Sequence, residues 1–314
     1  MNDIKITFFM LVTDPDIILA DYAVRSYAKI KDIPFKLRVY SNWVSSALKQ
    51  KYFTAWRKFD FVEIIENEWQ TDDKKPTDSR LEGRYEKGAA IWDRELKKIQ
   101  TPYHATVDAD FEILDAKFIS VMLAKLDTNP NLIAMSTDYF PKTPEYYNSF
   151  TDEVICLNER WPTWFCIYKR EALKCTVSHF YYEERTSASA RPNVWDDAGC
   201  FQKALKEDYG YEIAVLERRY QPCFIHHGSF SKNCDINEKN VALYRRLQIL
   251  RKRGLFGKRG LFLGTVDKFI RVIASLFGNK LFGYVDRTKN YPGWGKGRGK
   301  AAFDFMNEYN HIAS

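Results

Sequence analysis

The sequence predicts an α/β protein in which helices cover both faces of a mostly parallel sheet. Two observations favour this class: short apolar runs alternate with longer stretches of helical periodicity, and the alternation continues over most of the chain. Such a chain lays parallel strands side by side and packs the crossover helices on the two faces. Its 314 residues are enough for one large domain with an appendage.

Seven apolar runs have the length and composition of strands. They are short and rich in Val, Ile, Phe and Tyr, which favours buried strands over helices. In chain order they are residues 4–12, 35–40, 61–65, 103–107, 132–136, 164–168 and 212–216.

Five amphipathic stretches separate these strands. The first follows Asp14-Pro15-Asp16, which is typical of a helix start, with Asp14 as the N-cap, Pro15 in the first turn and Asp16 beside the positive helix end. In chain order the helices are predicted at residues 17–29, 44–53, 83–99, 116–126 and 197–206.

A second Asp-x-Asp pair, Asp108 and Asp110, follows the fourth predicted strand. Side chains two apart on a strand point the same way, so both carboxylates would leave the strand on one face. Two carboxylates on one face suit Mg²⁺ or Mn²⁺, which share their coordination between protein carboxylates and a substrate phosphate. The alternative is a solvated strand end without a metal.

The C-terminal quarter differs in charge from the rest of the chain. Between residues 245 and 300 there are 15 Lys or Arg against two Asp, a net charge of +13, whereas the whole chain carries +7. We therefore predict a domain at residues 1–240 and a basic helical extension at residues 241–314.

Sequence signals for secretion, membrane insertion and disulfide bonding are scarce. No run of 18 apolar residues occurs and the N-terminus lacks a signal-peptide pattern, so we expect a cytoplasmic chain. The cysteines form no C-x-x-C pair, so we expect reduced structural thiols; they are Cys156, Cys166, Cys175, Cys200, Cys223 and Cys234.

Four features occur in an order that resembles the nucleotide-sugar glycosyltransferases of the GT-A fold, over roughly residues 4 to 235. They are a first strand opening into a helix, the Asp108-x-Asp110 pair, the acidic helix start Trp195-Asp196-Asp197-Ala198-Gly199, and Phe224-Ile225-His226-His227-Gly228-Ser229 after a last strand. The resemblance implies a Rossmann-like domain that transfers a sugar from a nucleotide diphosphate to an acceptor hydroxyl, with Mn²⁺ or Mg²⁺ as cofactor.

The resemblance also implies metal ligands and a general base. Asp110 would coordinate the metal, and Asp108 the metal or the donor ribose, while His226 and His227 compete for a late histidine ligand because adjacent strand residues face opposite sides. In inverting members the last acid of the helix-start pair is the base, here Asp197. The alternatives are a plain helix start with Asp196 as N-cap and a retaining enzyme without this base.

Donor and acceptor residues are predicted at the strand ends and loops. Arg80, Arg84 and Lys87 are spaced three or four residues apart, so on a helix they would share one face. This face could hold the donor diphosphate; the alternative is a solvated helix face. The resemblance places Thr13, Asp14 and Asn42 near the nucleotide base. We predict that Trp161 and Trp164 contact the acceptor; the alternative is that both belong to the hydrophobic core. We also predict a polar loop over the site at residues 181–193.

The extension contains an amphipathic stretch at residues 261–277 flanked by Lys and Arg clusters. This pattern suits peripheral contact with an anionic membrane, where a lipid-linked acceptor of surface polysaccharide or lipopolysaccharide synthesis would lie; a helix docked on the body is the alternative. Nucleic acid is a poorer partner because no recognition motif accompanies the charge.

Two further functions stay open. A nucleotidyltransferase that makes a nucleotide sugar would need a Gly-rich basic loop after the first strand, where this chain has acidic Thr13-Asp14-Pro15-Asp16. A non-catalytic carbohydrate- or membrane-binding module would keep the fold without turnover.

Overall fold

The computed structural model describes residues 4–42, 44–66, 88–139, 146–148, 153–156, 161–175, 185–186, 192–195 and 198–227, together with residues 238, 241–242, 245–246 and 249 of the C-terminal part. Its strands are β1 (Ile6–Val12), β2 (Phe35–Ser41), β3 (Val62–Ile65), β4 (Tyr103–Asp108), β5 (Phe111–Ile113), β6 (Leu132–Ser136), β7 (Tyr146–Asn148), β8 (Glu153–Cys156), β9 (Phe165–Lys169), β10 (Arg185–Thr186), β11 (Pro192–Trp195), β12 (Glu212–Val215) and β13 (Phe224–His226).

The central sheet has seven strands in the order β12-β6-β9-β4-β1-β2-β3. All neighbouring pairs are parallel except those of β9, which runs antiparallel to both β4 and β6. These seven strands are the seven predicted from the apolar runs, and the α/β class with a mostly parallel sheet is confirmed. The single reversed strand brings the start of β9 to the edge at which the other strands end.

Two smaller sheets complete the described strands. One has four strands in the order β10-β11-β8-β7, and the other is an antiparallel ribbon of β5 and β13. Residues 181–193 were predicted as a loop, yet β10 and the beginning of β11 lie within them, because they find strand partners in β8 and in each other.

The helices follow the predicted order with shifted ends. The predicted helix at residues 44–53 is a helical segment through Trp56 whose middle, Lys49–Phe53, is a π turn, and the described part of the predicted helix 83–99 ends in a 3-10 turn. The α-helices are α1 (Ile17–Ser26), α2 (Ser46–Leu48), α3 (Thr54–Trp56), α4 (Gly88–Glu95), α5 (Lys117–Thr128) and α6 (Gly199–Glu207).

Phenylalanines join the ribbon to the main sheet. The Phe111 ring of β5 lies 4.6 Å from Phe165 of β9 and 4.9 Å from Phe224 of β13, and all three rings are buried. Phe118 of α5 packs on Phe165 and Phe224 at 5.1 and 5.2 Å between ring centroids. Burial of one such side chain stabilises the fold by about 1.5–3 kcal/mol, so this cluster fixes one face of the ribbon against the sheet.

The described residues of the C-terminal part, from residue 238 onward, contact the body. Val241 is buried with Leu19 of α1, and Lys51 and Tyr52 bond to Glu238. Within the described ranges no helix is both long and apolar enough to cross a bilayer. Cys166, Cys175 and Cys223 form no disulfide bond, and burial raises the pKa of Cys166 to about 12, so this thiol stays protonated at neutral pH.

Candidate metal centre

The candidate site lies at the carboxyl edge of the central sheet. There β1 ends at Val12, β2 at Ser41 and β4 at Asp108, and the reversed β9 begins next to Trp164. At this edge a backbone hydrogen bond joins the end of β4 to the residue before β9: the Asp108 amide donates to the Trp164 carbonyl at 2.9 Å. In open α/β sheets, ligands bind beyond the carboxyl ends of the strands.

Asp108 and Asp110 lie at a tight turn between β4 and β5. Asp108 is the last residue of β4, and Ala109 and Asp110 form the turn. The side chain of Asp108 is 42% exposed and that of Asp110 11%, so one carboxylate faces solvent and the other is enclosed. The turn therefore offers two carboxylates of different accessibility at one place.

The ribbon brings a histidine to these carboxylates. His226 pairs with Phe111 in the β5–β13 register, and the next amide, that of His227, donates to the Asp110 carbonyl at 3.1 Å. The Nε2 atom of His226 lies 3.3 Å from a carboxylate oxygen of Asp108 and 3.3 Å from one of Asp110. The three side chains offer ligand atoms within 4.8 Å of one another.

The electrostatics of this cluster favour a positive charge. Burial lowers the pKa of His226, but Asp110 and Asp108 outweigh it and raise the pKa to about 10. Without a metal ion the carboxylates thus stabilise the protonated imidazole, and a bound cation would take the place of that proton.

The donor set fits a divalent cation. Neighbouring ligands of an octahedral ion with bonds of about 2.1 Å lie about 3 Å apart, close to the 3.3 Å between Nε2 of His226 and each carboxylate. Carboxylate oxygens suit Mg²⁺ and Mn²⁺, and a partly open carboxylate leaves room for ligands from a substrate. Asp108, Asp110 and His226 would hold the ion.

Of the two histidines left open by the sequence, His226 is the one beside the carboxylates. His227, the residue after β13, points to the other side of the ribbon, where its Nε2 lies 3.6 Å from Glu112, so it is not grouped with the two aspartates. Burial raises the pKa of Glu112, but His227 and Arg245 outweigh it and hold the pKa below its ordinary value.

Trp164 forms one wall of the site. Its ring lies 4.4 Å from the His226 ring at an interplanar angle of 31°, and its Nε1 donates to the Thr137 hydroxyl at 3.1 Å. Thr137 is buried just after β6, and its carbonyl accepts a bond from Gln221 at 2.9 Å. Trp164 is therefore in contact with a candidate metal ligand, in addition to its predicted place near the acceptor.

Trp161 lies deeper. The residue is 6% exposed, and its ring centroid lies 4.8 Å from that of Tyr139. Gln202 of α6 clamps its backbone, because Oε1 accepts from the Trp161 amide and Nε2 donates to the Trp161 carbonyl. This burial favours a role of Trp161 in the hydrophobic core over the predicted contact with the acceptor.

The residues predicted for the nucleotide lie at the same edge. Asn42 follows β2, is buried, and its amide donates to the Val12 carbonyl at 2.9 Å. The Asp14 carboxylate accepts a bond from the Ser45 amide at 2.7 Å. Asp14 was predicted to cap the first helix, and this was wrong: it begins a 3-10 turn, Asp14–Asp16, whose N-cap is Thr13.

Some predicted site residues lie outside the described residues. They are Arg84 and Lys87 for the donor, and Asp196 and Asp197 for the base. The helix predicted to start at residue 197 begins at Gly199, with Ala198 rather than Asp196 as its N-cap. Ala198 has φ 62°, the one positive φ among the described non-glycine residues, and is buried. A left-handed alanine costs about 1–2 kcal/mol, which the surrounding packing must offset.

Three residues at the site were not predicted. Thr137 follows an apolar strand and gives no chemical signal in the sequence. Glu112 gives one, since it is a charged residue inside the apolar run Phe111-Glu112-Ile113. Arg245 was counted only as part of the basic extension, whereas the structure directs it inward to Glu112.

No family model matches the chain, and no curated protein matches it in sequence. Solved structures with a similar fold include the mannosyltransferase PcManGT from Pyrobaculum calidifontis with GDP-Man and Mn²⁺, at TM-score 0.45 and 12% identity over 69% of this chain and 56% of that one. TarS from S. aureus with UDP-GlcNAc gives TM-score 0.36 and 15% identity over 82% and 75%. Glucosyl-3-phosphoglycerate synthase from Mycobacterium tuberculosis with UDP gives 0.41 and 11% over 80% of both chains.

The chain spans a little over half of the mannosyltransferase, 56% of its length. At identities of 11 to 15% these likenesses assign no activity to this chain. The site geometry has to support the function by itself.

Proposed function

We propose that the chain is a metal-dependent glycosyltransferase that moves a sugar from a nucleotide-diphosphate donor to an acceptor hydroxyl. The observation that carries the proposal is the grouping of Asp108, Asp110 and His226 within 4.8 Å at the carboxyl edge of the sheet, beside the ends of β1 and β2. A cation site at the ligand-binding edge of an α/β sheet suits a substrate that carries a diphosphate.

The residues divide the work of donor binding and bond cleavage. Cleavage of the sugar–phosphate bond loads negative charge onto the diphosphate, and a bound divalent cation stabilises that charge as a Lewis acid. Asp110 and His226 would hold the cation from the protein side, and the more exposed Asp108 would hold the cation or the donor ribose. Thr13 and Asp14 follow β1 and Asn42 follows β2 at the same sheet edge, and we propose that they contact the nucleoside.

The acceptor side of the proposal uses Asp197 as general base. A carboxylate within hydrogen-bond reach of the acceptor hydroxyl would take its proton as it attacks the anomeric carbon, which inverts the configuration. Asp196, Arg84 and Lys87 complete the proposed set as neighbour of the base and as diphosphate contacts. Trp164, with a partly exposed ring, is the better placed of the two tryptophans to meet a sugar.

The test is a panel of nucleotide sugars, beginning with GDP-Man, UDP-Glc and UDP-GlcNAc, measured with and without Mn²⁺. We expect one donor with Mn²⁺ to raise the free energy of unfolding, by about 2.7 kcal/mol at a ligand concentration of a hundred times Kd. The same donor should be hydrolysed or transferred. EDTA should abolish both effects, and added Mn²⁺ should restore them.

The control for this experiment is the donor with EDTA from the start. Turnover of a nucleotide sugar that is indifferent to chelation would contradict the metal-dependent mechanism. Formation of a nucleotide sugar from a sugar 1-phosphate and a nucleoside triphosphate, with release of pyrophosphate, would instead identify a nucleotidyltransferase. Metal-dependent donor binding without any turnover would identify a binding module.

For the acceptor we propose a lipid-linked glycan at the cytoplasmic face of a membrane. Residues 245–300 carry a net charge of +13, and the amphipathic stretch 261–277 lies outside the described residues. The protein should therefore sediment with anionic vesicles, and salt should weaken this binding without eliminating it because part of it is apolar.

The matched variants for membrane binding are Phe269→Glu and Ile273→Glu, with Ser120→Glu on the exposed side of α5 as a control that adds the same charge. The first two should release the protein from vesicles and the control should not. Failure of the wild type to bind anionic vesicles at low salt, or unfolding of the body by the two substitutions, would favour a docked helix and an acceptor outside the membrane.

A further inference from the structure

A buried ion pair connects the C-terminal part of the chain to the strand that follows the metal-site turn. Glu112, in the middle of β5, is 1% exposed, and both of its carboxylate oxygens accept hydrogen bonds from Arg245. The Nε atom of Arg245 donates at 2.6 Å, from 133 residues further along the chain. A two-pronged guanidinium–carboxylate contact fixes both distance and orientation, which a single hydrogen bond does not.

Arg245 is itself fixed from the other side. Its guanidinium lies 4.7 Å from the centre of the Tyr22 ring of α1, and Val241, one helical turn before it, is buried against Leu19. Residues 241 and 245 have helical backbone. The segment around Arg245 therefore packs on α1, and the guanidinium of Arg245 extends from that helix to β5.

Glu112 occupies the centre of the ribbon that carries two of the three proposed ligands. Along β5 it lies two residues after Asp110, and across the ribbon it pairs with Ile225, the residue before His226. A two-stranded ribbon is marginally stable without packing on both faces. Phe111 and Phe224 hold the face toward the sheet, and Glu112 with His227 lies on the opposite face.

We propose that Arg245 is a positioning residue of the metal centre: through Glu112 it holds the ribbon so that Asp110 and His226 face Asp108. The inference rests on the metal site of the proposed function. It also gives the beginning of the basic extension a role in the interior, separate from any contact that residues 251–300 make.

Two substitutions separate this positioning role from charge compensation. Arg245→Met keeps the aliphatic packing on Tyr22 but leaves the Glu112 carboxylate buried without its guanidinium. Glu112→Gln with Arg245→Met removes both charges and therefore the penalty of an unpaired buried carboxylate, but it also removes the two-pronged contact. A purely electrostatic role predicts that the double variant recovers, whereas a positioning role predicts that it does not.

The experiment is a titration of the full chain with Mn²⁺ alone, followed by the electron paramagnetic resonance signal of the free ion. Relative to the wild type, Arg245→Met and the double variant should bind Mn²⁺ about tenfold more weakly, the size of effect typical of groups that orient metal ligands. Arg245→Lys, which keeps the charge but loses the fork, should fall between them and the wild type.

The matched control is Lys51→Met. Lys51 pairs with Glu238, so it also bonds the C-terminal part to the body, but both side chains are exposed and neither touches the ribbon. Its Mn²⁺ affinity should equal that of the wild type. Thermal unfolding without metal, recorded for each variant, shows which proteins are folded.

Wild-type Mn²⁺ affinity in a folded double variant would overturn the proposal, even if Arg245→Met alone failed to fold. Wild-type affinity in Arg245→Lys, together with recovery in the double variant, would likewise reduce the pair to charge compensation. Absence of saturable Mn²⁺ binding in the wild type would instead overturn the metal centre of the proposed function, and this inference with it.

Discussion

Replacing Asp110 by Asn should lower the rate of sugar transfer by about a thousandfold or more, because the Lewis-acid stabilisation of the diphosphate is worth several kcal/mol. Asp110 is the stronger choice of the two aspartates, since its side chain is 11% exposed against 42% for Asp108 and its enclosed oxygen lies 3.3 Å from Nε2 of His226. The asparagine keeps the size but not the charge. Initial rates and Mn²⁺ affinity measured on the same preparation test this expectation.

The matched control for Asp110→Asn is Asp115→Asn. Asp115 follows the same ribbon and loses the same charge, but its side chain is 47% exposed and bonds Lys117. It should transfer at the wild-type rate. Full activity of Asp110→Asn, or equal losses in both variants, would contradict the assignment of Asp110 to the cation.

The sheet could be predicted because each of its strands is encoded locally. The seven apolar runs are long enough to be recognised one at a time, and their alternation with helices determines a mostly parallel arrangement. The ribbon could not be predicted in this way. β5 has three residues and a charged one at its centre, so neither its length nor its composition identifies a strand.

The same difference between local and long-range information applies to the site. The spacing of Asp108 and Asp110 is local and was sufficient to predict two carboxylates at one strand end. The choice between His226 and His227 depends on which face of β13 meets the carboxylates, and the register with β5 determines that. A register between strands so far apart in the chain leaves no local pattern in the sequence.

Long-range partners also explain the errors. Asp14 was predicted to cap the first helix, but its carboxylate accepts a bond from Ser45, which lies 31 residues further on. Arg245 was counted only in the charge of the basic extension, but it pairs with Glu112 across 133 residues. In each case the side chain forms a long-range hydrogen bond that no local sequence pattern indicates.

Replacing Asp197 by Asn should lower the turnover rate by roughly a hundredfold or more while the affinity for the donor stays nearly unchanged. The amide keeps the shape of the side chain but cannot accept the proton of the attacking hydroxyl. Turnover should fall and the donor KM should not, because a base acts on the acceptor after both substrates are bound. The measurement is a full kinetic analysis with the donor found in the panel.

The control for Asp197→Asn is Asp208→Asn, an exposed acid at the other end of α6, which should leave turnover unchanged. Asp196→Asn tests the neighbour: a hundredfold loss there, with wild-type turnover in Asp197→Asn, would move the base role by one residue. The anomeric configuration of the product decides the mechanism independently of any variant. An inverted product requires a base on the acceptor face, whereas a retained configuration would remove the base role from both acids.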